Sequence, residues 1–346
     1  MIIGIHPDPY DDVSFWPRLI EFARQKGAEV KSLNLLASDA LEQAKQCDGI
    51  MWRWGHNEQD KQSAQRILYT IEHYLKIPVF PNSSTTWHYD EKIAQVYLLD
   101  ALQAPVPQCW LFWDYEEALH WAKTAPYPVV FKLSVGASSS HVLKVTNEQE
   151  AVQLINSMFK RGVFPMTMNE YQPKQGLHHS LSQVKTLAKR GIKALDYLWT
   201  GDYPALHPMW WKPEYGYAYF QEFLPNNAFD TRVTVIGDRA FAYRRMNRPN
   251  DFRASGSGNF DVNPELINQE CVKIAFQVSE RGDFQSMAYD FLTKNDRSVI
   301  CEISYTYVAW MVHSCPGHWD KNLNWHEGQM WPEDAIVEDF LEYISK

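Results

Sequence analysis

No stretch of the sequence reaches the roughly 18 consecutive apolar residues that a membrane-spanning helix needs. The opening residues, Met1-Ile2-Ile3-Gly4-Ile5-His6-Pro7, have no basic segment and no long apolar run, so no secretory signal is expected. Cysteine is sparse: the five thiols, Cys47, Cys109, Cys271, Cys301 and Cys315, are odd in number and widely spread. That pattern argues against a disulfide framework and for reduced thiols in a cytoplasmic protein. Positive charge is in deficit, with 33 Lys and Arg against 42 Asp and Glu for a net charge of -9. General affinity for nucleic acid or an anionic membrane is thereby excluded, because the whole chain would be repelled, although a local basic pocket for a phosphate is not.

Familiar chemical signatures are also missing. The first apolar run leads into His6-Pro7-Asp8-Pro9 and not into G-x-G-x-x-G. Two prolines remove backbone N–H donors that a phosphate loop would use, which argues against a dinucleotide site there. No G-x-S-x-G or other nucleophile motif is present. His178-His179 and Cys315-Pro316-Gly317-His318 lack the second ligand pair of a zinc site. Asn82-Ser83-Ser84 has the form of a glycosylation sequon, which carries no meaning without secretion.

What the chain does have is size and ordinary globular composition. Its 346 residues imply two or three packed subdomains, and 45% hydrophobic with 22% charged residues is usual for a folded protein. The 14 tryptophans suit packing contacts, with a stacking surface for a flat substrate as the sharper alternative. Short apolar runs at 1–5, 29–35, 49–54 and 78–81 alternate with helical patterns at 14–27, 41–47 and 59–76, with Ser14 as an expected cap and Gly27 as an expected stop. This alternation predicts a parallel sheet flanked by helices. Further on, helices are predicted at 91–102, 116–125, 148–159 and 265–281. Strands are predicted at 108–112, 127–133, 142–145, 219–224, 232–236, 239–245, 287–292 and 299–304, with Gly237-Asp238 as a hairpin turn. Residues 172–216 are the least regular part.

Several segments carry chemistry. Pro128-Val129-Val130-Phe131-Lys132 ends an apolar strand on a lysine and leads into a turn of small residues that includes Gly136, Ser138, Ser139 and Ser140. Backbone N–H groups and hydroxyls in such a turn can approach phosphate oxygens closely, although the residues alone fit a solvent-tipped hairpin equally well. Asp90-Glu91-Lys92 opens a helix, and read alone it is a solvated helix start. Phe220-Gln221-Glu222-Phe223-Leu224-Pro225 leaves a strand at a proline. Asp290 and Glu302 lie on neighbouring strands among Ala288, Phe291, Ile300 and Ile303. Buried carboxylates are costly unless paired with a cation or metal, and hard oxygen donors on adjacent strands suit Mg²⁺ bridged to phosphates.

In this order the segments resemble the ATP-grasp superfamily, in the branch with ribosomal-protein glutamate ligase, glutathione synthetase and D-alanine–D-alanine ligase. The resemblance runs from about Trp87 to Ser304. Asp90-Glu91-Lys92, with one inserted residue, and Ala104-Pro105-Val106-Pro107 match the family's first lysine and the turn after it; Lys132 matches the second lysine. Glu222-Phe223-Leu224 matches the adenine hinge. Asp230 in Asp230-Thr231-Arg232 matches the acid that holds the ribose, and Arg245 the strand arginine near the transferred phosphoryl group. Asp251-Phe252-Arg253-Ala254-Ser255 matches a further basic element through Arg253. Asp290, Glu302 and Ser304 match the metal set, with serine where the family usually has asparagine. His141 stands where glycine is common.

The resemblance implies an α/β chain of α+β lobes with the ATP-grasp fold: an N-terminal parallel-sheet domain over residues 1–86, a small lid lobe over 87–220 and a C-terminal lobe with the metal site over 221–346. It implies ATP and Mg²⁺ as cofactors, and small-molecule or peptide carboxylates and amines as partners in an ADP-forming ligation through an acyl phosphate. Neither nucleic acid nor a membrane is expected as a partner, and a homodimer is left open. A kinase on the same fold, or a nucleotide-binding regulator without turnover, are the alternatives. Lys132→Ala is expected to weaken ATP binding by about 1.5–3 kcal/mol, the range of a charged hydrogen bond. Titration calorimetry measures this directly, and an unchanged affinity would remove Lys132 from the phosphate site.

Overall fold

The computed structural model describes residues 1–8, 14–55, 58–136, 141–163, 213–248, 251–252 and 258–346. The chain forms two compact units. One joins Met1–Cys109 to Leu224–Lys346, and the other is Trp110–Phe223.

In the first unit the N-terminal strands β1 (Ile2–Ile5), β2 (Glu29–Ser32), β3 (Gly49–Met51) and β4 (Val79–Phe80) form a parallel sheet in the order β2-β1-β3-β4. Its connections are the helices Trp16–Gln25, Ala40–Ala44 and Glu58–Thr70, the last running on as a π turn over Ile71–Leu75. The predicted alternation is thus present, with shorter strands. The helix cap differs from expectation. Phe15 is the N-cap residue, without a side-chain cap, and the Ser14 hydroxyl donates to the Asp8 carboxylate instead. The stop holds: Gly27 takes φ +86°, a left-handed conformation that glycine adopts without steric cost.

The second unit carries an open sheet of β5 (Cys109–Phe112), β6 (Val129–Lys132), β7 (Val142–Val145) and β8 (Ala218–Glu222), in the order β5-β8-β6-β7. Helices Tyr115–Ala122 and Glu148–Lys160 accompany it, capped by Asp114 and Asn147, whose side chains accept from Glu117 N and Glu150 N. Phe131, Phe220 and Leu143 are buried in this sheet.

The remainder of the first unit is dominated by long antiparallel strands: β9 (Phe229–Ile236), β10 (Arg239–Met246), β11 (Phe260–Asp261), β12 (Ser286–Lys294), β13 (Arg297–Ser304), β14 (Gly317–Trp319) and β15 (Trp325–Glu327). They run in the order β13-β12-β9-β10-β14-β15, with β11 paired to β10. Period-2 alternation assigns these residues to two apolar faces. Val233, Val235, Met287 and Tyr289 join a core with Val272 and Ala275 of helix Gln269–Gly282 and with Ile50 and Trp52. Ile236, Phe241, Tyr243 and Ala288 join a second core with Ile3, Ile5, Ile336, Val337 and Phe340.

The resemblance implies domain boundaries at 86/87 and 220/221; the first compact unit runs on past residue 86 to Cys109. The physical reason lies in helix Lys92–Ala101. The Gln95 amide donates to Ile303 O at 2.9 Å, and Ile300 N donates to Pro105 O at 2.7 Å. These bonds tie the segment after residue 86 to the C-terminal sheet. Residues beyond 304, for which no elements are predicted, form helices Ala309–His313 and Pro332–Ser345. The last helix is riveted by charge: Arg18 binds Asp334 through two bonds of 2.8 and 2.7 Å, and Arg239 binds Asp339 at 2.7 Å and Glu338 at 2.9 Å. Among the described residues no helix is long and apolar enough to cross a membrane.

Phe340 is 2% exposed, meets Phe80 edge-on, and leaves no room for a side chain at Gly49. Phe340→Ala removes this packing and is expected to cost about 3–5 kcal/mol, read as a lowered urea midpoint with an unchanged slope.

Candidate active site

On β9, Asp230 and Arg232 are two residues apart, so both side chains emerge on one face of the sheet; on β10, Tyr243 and Arg245 do the same. The strand register then sets a row of charge across the sheet. Glu302 lies opposite Asp290, Asp290 opposite Arg232, and Arg245 opposite Asp230. The guanidinium of Arg232 donates to Asp290 through Nε at 2.6 Å and Nη2 at 2.8 Å. Arg245 donates to Asp230 through Nε at 2.7 Å and Nη2 at 2.6 Å, and the same Nη2 lies 2.7 Å from Asp290 Oδ2. Two carboxylates and two guanidiniums thus form one neutral network with bidentate geometry, the arrangement in which a buried ion pair recovers most of its desolvation cost.

The two acids divide the protonation burden. Burial opposes ionisation of Asp290, but the charges of Arg232 and Arg245 and the hydrogen bonds from them prevail and hold its carboxyl below the usual carboxylate range. Asp230 moves the other way. Burial lifts it, the negative charge of Asp290 lifts it further, and Arg245 only partly offsets both. Two acids sharing one arginine separate in this way because ionising the first penalises ionising the second. The carboxyl pushed upward, by burial first and by its neighbour second, is therefore Asp230.

Lys92 joins the row from the helix Lys92–Ala101. It is 6% exposed, with Nζ 3.4 Å from Glu302 Oε1. Gln95 is one helical turn beyond Lys92 and shares its face, so the bonds of Gln95 to the backbone of Ile303 set the lysine beside Glu302. The register also slips here. Asp290 faces Glu302 while Phe291 faces Ile300, which makes Cys301 the extra residue of a β-bulge. Bulges re-aim neighbouring side chains, and this one is adjacent to Glu302. Ser304 turns elsewhere: its hydroxyl donates to Thr306 O at 3.0 Å and lies 3.1 Å from Thr306 Oγ1.

Among the described residues no group of three or more His, Cys, Asp or Glu side chains is gathered for a metal ion. The Asp290 and Glu302 pair nevertheless suits a hard cation. Among the described residues Asp290 Oδ1 accepts only the Arg232 Nε bond, and the Glu302 side chain is 35% exposed. Mg²⁺ takes one or two protein carboxylates and fills its octahedron with water and substrate oxygens.

The second unit places Lys132 at the end of β6, 5% exposed, and opposite Val142. The turn after it is braced from two sides. Ser134 N donates to the Tyr217 hydroxyl at 2.8 Å, and that hydroxyl donates to Glu214 at 2.8 Å. The His141 imidazole lies 2.9 Å from Val135 O and against Gly136, whose φ of +116° and lack of a Cβ admit it. Histidine in place of glycine at 141 therefore fills the turn. On β8, Glu222 pairs with Val129, and the Phe223 ring lies 4.0 Å beneath Lys144 Nζ. Leu224 begins the returning segment of the first unit. Ser138, Ser139, Ser140, Arg253 and nearly all of 172–216 lie outside the described residues.

Neither a family model nor a curated protein matches the sequence. Solved structures do. A RimK-domain ATP-grasp protein from Sphaerobacter thermophilus is 14% identical, with a TM-score of 0.53 over 99% of this chain and 100% of its own. The D-alanine–D-alanine ligase of Bacillus anthracis complexed with ATP is 11% identical, with a TM-score of 0.57 over 100% and 98%. This chain has the ATP-grasp fold. The macrocyclase MdnC from Microcystis aeruginosa, bound with precursor peptide MdnA, shares it at 12% identity and a TM-score of 0.55, over 99% of this chain and 100% of that one. The expected fold class, parallel N-terminal sheet included, is thus present.

Sequence reasoning misses three residues, Arg232 and Gln95 at the charged row and Lys144 over the Phe223 ring in the second unit. Arg232 was passed over although it alternates with Asp230 on a strand, a spacing that could have revealed it. Gln95 had a helical-turn relation to Lys92. Lys144 had no signal beyond its strand position. Asp290→Asn is expected to cost about 3–5 kcal/mol at neutral pH, because it leaves buried guanidinium charge uncompensated. Since the folded-state pKa of Asp290 is depressed, its contribution is complete above the unfolded carboxylate range and fades as pH falls below about 4. Urea titrations of wild type and variant should therefore converge in acid, and a gap independent of pH would contradict the charge assignment.

Proposed function

We propose that this chain is an ATP-dependent, ADP-forming ligase that joins a carboxylate to an amine through an acyl phosphate. The observation that carries the reading is the row of Asp290, Arg232, Asp230 and Arg245, continued by the half-exposed Glu302, on one face of an ATP-grasp sheet, with Lys92 against its acidic end. Positioning and charge stabilisation are the demands of phosphoryl transfer, and this row supplies both without a nucleophile.

In this reading Asp290 and Glu302 hold Mg²⁺, and Ser304, turned toward Thr306, contributes at most through water. The ion would draw charge from the β- and γ-phosphates. Arg245, fixed by two bonds to Asp230, stabilises charge on the transferred phosphoryl group, because a guanidinium already oriented needs no reorganisation at the moment of transfer. Asp230 is then first a positioning residue for Arg245, with the ribose as its second duty. Lys92 and Lys132 neutralise phosphate oxygens. Glu222, Phe223 and Leu224 supply the adenine hinge, with Ser138, Ser139, Ser140 and Arg253 as further nucleotide contacts. The substrate carboxylate attacks the γ-phosphorus, ADP leaves, and an amine displaces phosphate to give the amide. The partners are small-molecule or peptide carboxylates and amines. The MdnC neighbour, bound with a precursor peptide, supports the peptide case, and cytoplasmic residence fits the nucleotide requirement.

ADP release measured with and without hydroxylamine tests the mechanism. A ligase gives a trapped hydroxamate, a kinase gives ADP without hydroxamate, and a regulator gives no ADP. Glu302→Gln preserves shape and removes charge, so folding should survive while ADP release falls by about 10²-fold or more. Wild-type turnover with unchanged Mg²⁺ dependence would discard the metal assignment.

A further inference from the structure

A cavity of about 430 Å³ opens in the first unit, away from the charged row. Ile236 and Gly237 at the end of β9 line it, as does Gln285 just before β12. Arg232 is four residues back along β9, so the cavity is roughly 14 Å from the row at the usual rise of an extended strand. Its size is that of a small-molecule site.

The lining has two chemical characters. Val79, Phe80, Ile236, Ile336 and Phe340 give an apolar floor, and the Phe80 and Phe340 rings meet edge-on with centroids 6.4 Å apart. The rim carries three carboxylates, Glu72, Asp283 and Asp339, against one cation, Lys76, and is completed by Tyr343, which is 61% exposed. These acids have partners but are not neutralised within the cavity: Glu72 accepts from Ser83 N at 2.8 Å and Asp283 from the Asn82 amide at 3.4 Å, both uncharged donors. Asp339 Oδ1 is taken by Arg239, while Oδ2 is buried without a hydrogen-bond partner. Burial lifts the Asp283 carboxyl, and the charge of Glu72 lifts it further; burial likewise lifts Asp339. A cation in the cavity relieves all three, whereas a phosphate or carboxylate would meet their repulsion. Aromatic rings beside carboxylates are the surroundings that select an organic ammonium over a hydrated metal ion, since ring faces attract a cation and replace the water around its apolar stem.

We infer that this cavity is a second ligand site that takes a small organic ammonium, its charged head at the Glu72, Asp283 and Asp339 rim and its apolar stem over Phe80 and Phe340. The site is independent of the ligase chemistry proposed above. Its position at the far ends of β9 and β12, strands that carry Arg232 and Asp290, suits an effector.

Calorimetry with 2-phenylethylamine, n-hexylamine, n-hexanol and hexanoate on the whole chain tests this without reference to turnover. Saturable binding of both amines is expected, with hexanol weaker and hexanoate absent. Asp283→Asn and Tyr343→Ala lie at the rim and should leave the fold intact. Each is expected to weaken amine binding about three- to tenfold, the range of a charge-assisted hydrogen bond or a cation–π contact at a partly exposed site. No saturable amine binding, equal binding of hexanol or hexanoate, or amine binding unchanged in both variants would each overturn the inference.

Discussion

A neutral network of two aspartates and two arginines, buried on one face of an antiparallel sheet, is the constraint around which the rest of this chain is arranged. Charges so far from water are tolerated only when each has its counterpart at hydrogen-bonding distance. Asp230, Arg232, Arg245 and Asp290 meet that condition through five contacts of 2.6–2.8 Å. The register of three strands cannot slip by one residue without throwing these side chains onto the opposite, apolar face. The same charges that we propose serve phosphoryl transfer therefore also fix the pairing of β9, β10 and β12.

At its acidic end the network meets a differently made part of the chain. Lys92 arrives on a helix whose place is set by Gln95 and the backbone of Ile303, and the bulge at Cys301 adjusts the strand that presents Glu302. Rigid strands provide the arginines and Asp290, while a helix and an irregular strand provide Lys92 and Glu302. That division suits a site in which part of the charge is held fixed and part remains exposed enough to meet a substrate or an ion.

Much of this was legible in the sequence because its signals are local. Alternation on β9, β10, β12 and β13 follows from period 2, and Lys132 ends a run of apolar β-branched and aromatic residues. The order of those elements points to the fold more firmly than any one of them. What was not legible depends on contacts between distant residues. That Asp290 would be held by arginines requires knowing that β12 lies beside β9 and not only beside β13. The Ser14 cap was displaced because Asp8 competes for its hydroxyl. The C-terminal helix has apolar residues at helical spacing, Ile336, Val337, Phe340, Leu341 and Ile344, but its partners Arg18, Gly49 and Arg239 lie far away in the chain.

The first unit is assembled from two separated lengths of chain, Met1–Cys109 and Leu224–Lys346. This has a consequence for biosynthesis. Ile3 and Ile5 are made more than three hundred residues before Ile336, Val337 and Phe340, which share their core. Until those residues emerge, the core around β1 has the helix Trp16–Gln25 but not Pro332–Ser345, while β6 and β7 of the second unit can already pair. Pairing across so many residues carries a loop-closure cost that local packing does not. The nascent protein must therefore hold an apolar parallel sheet incomplete while the intervening residues are made, and in that interval chaperone capture and misassociation compete with folding.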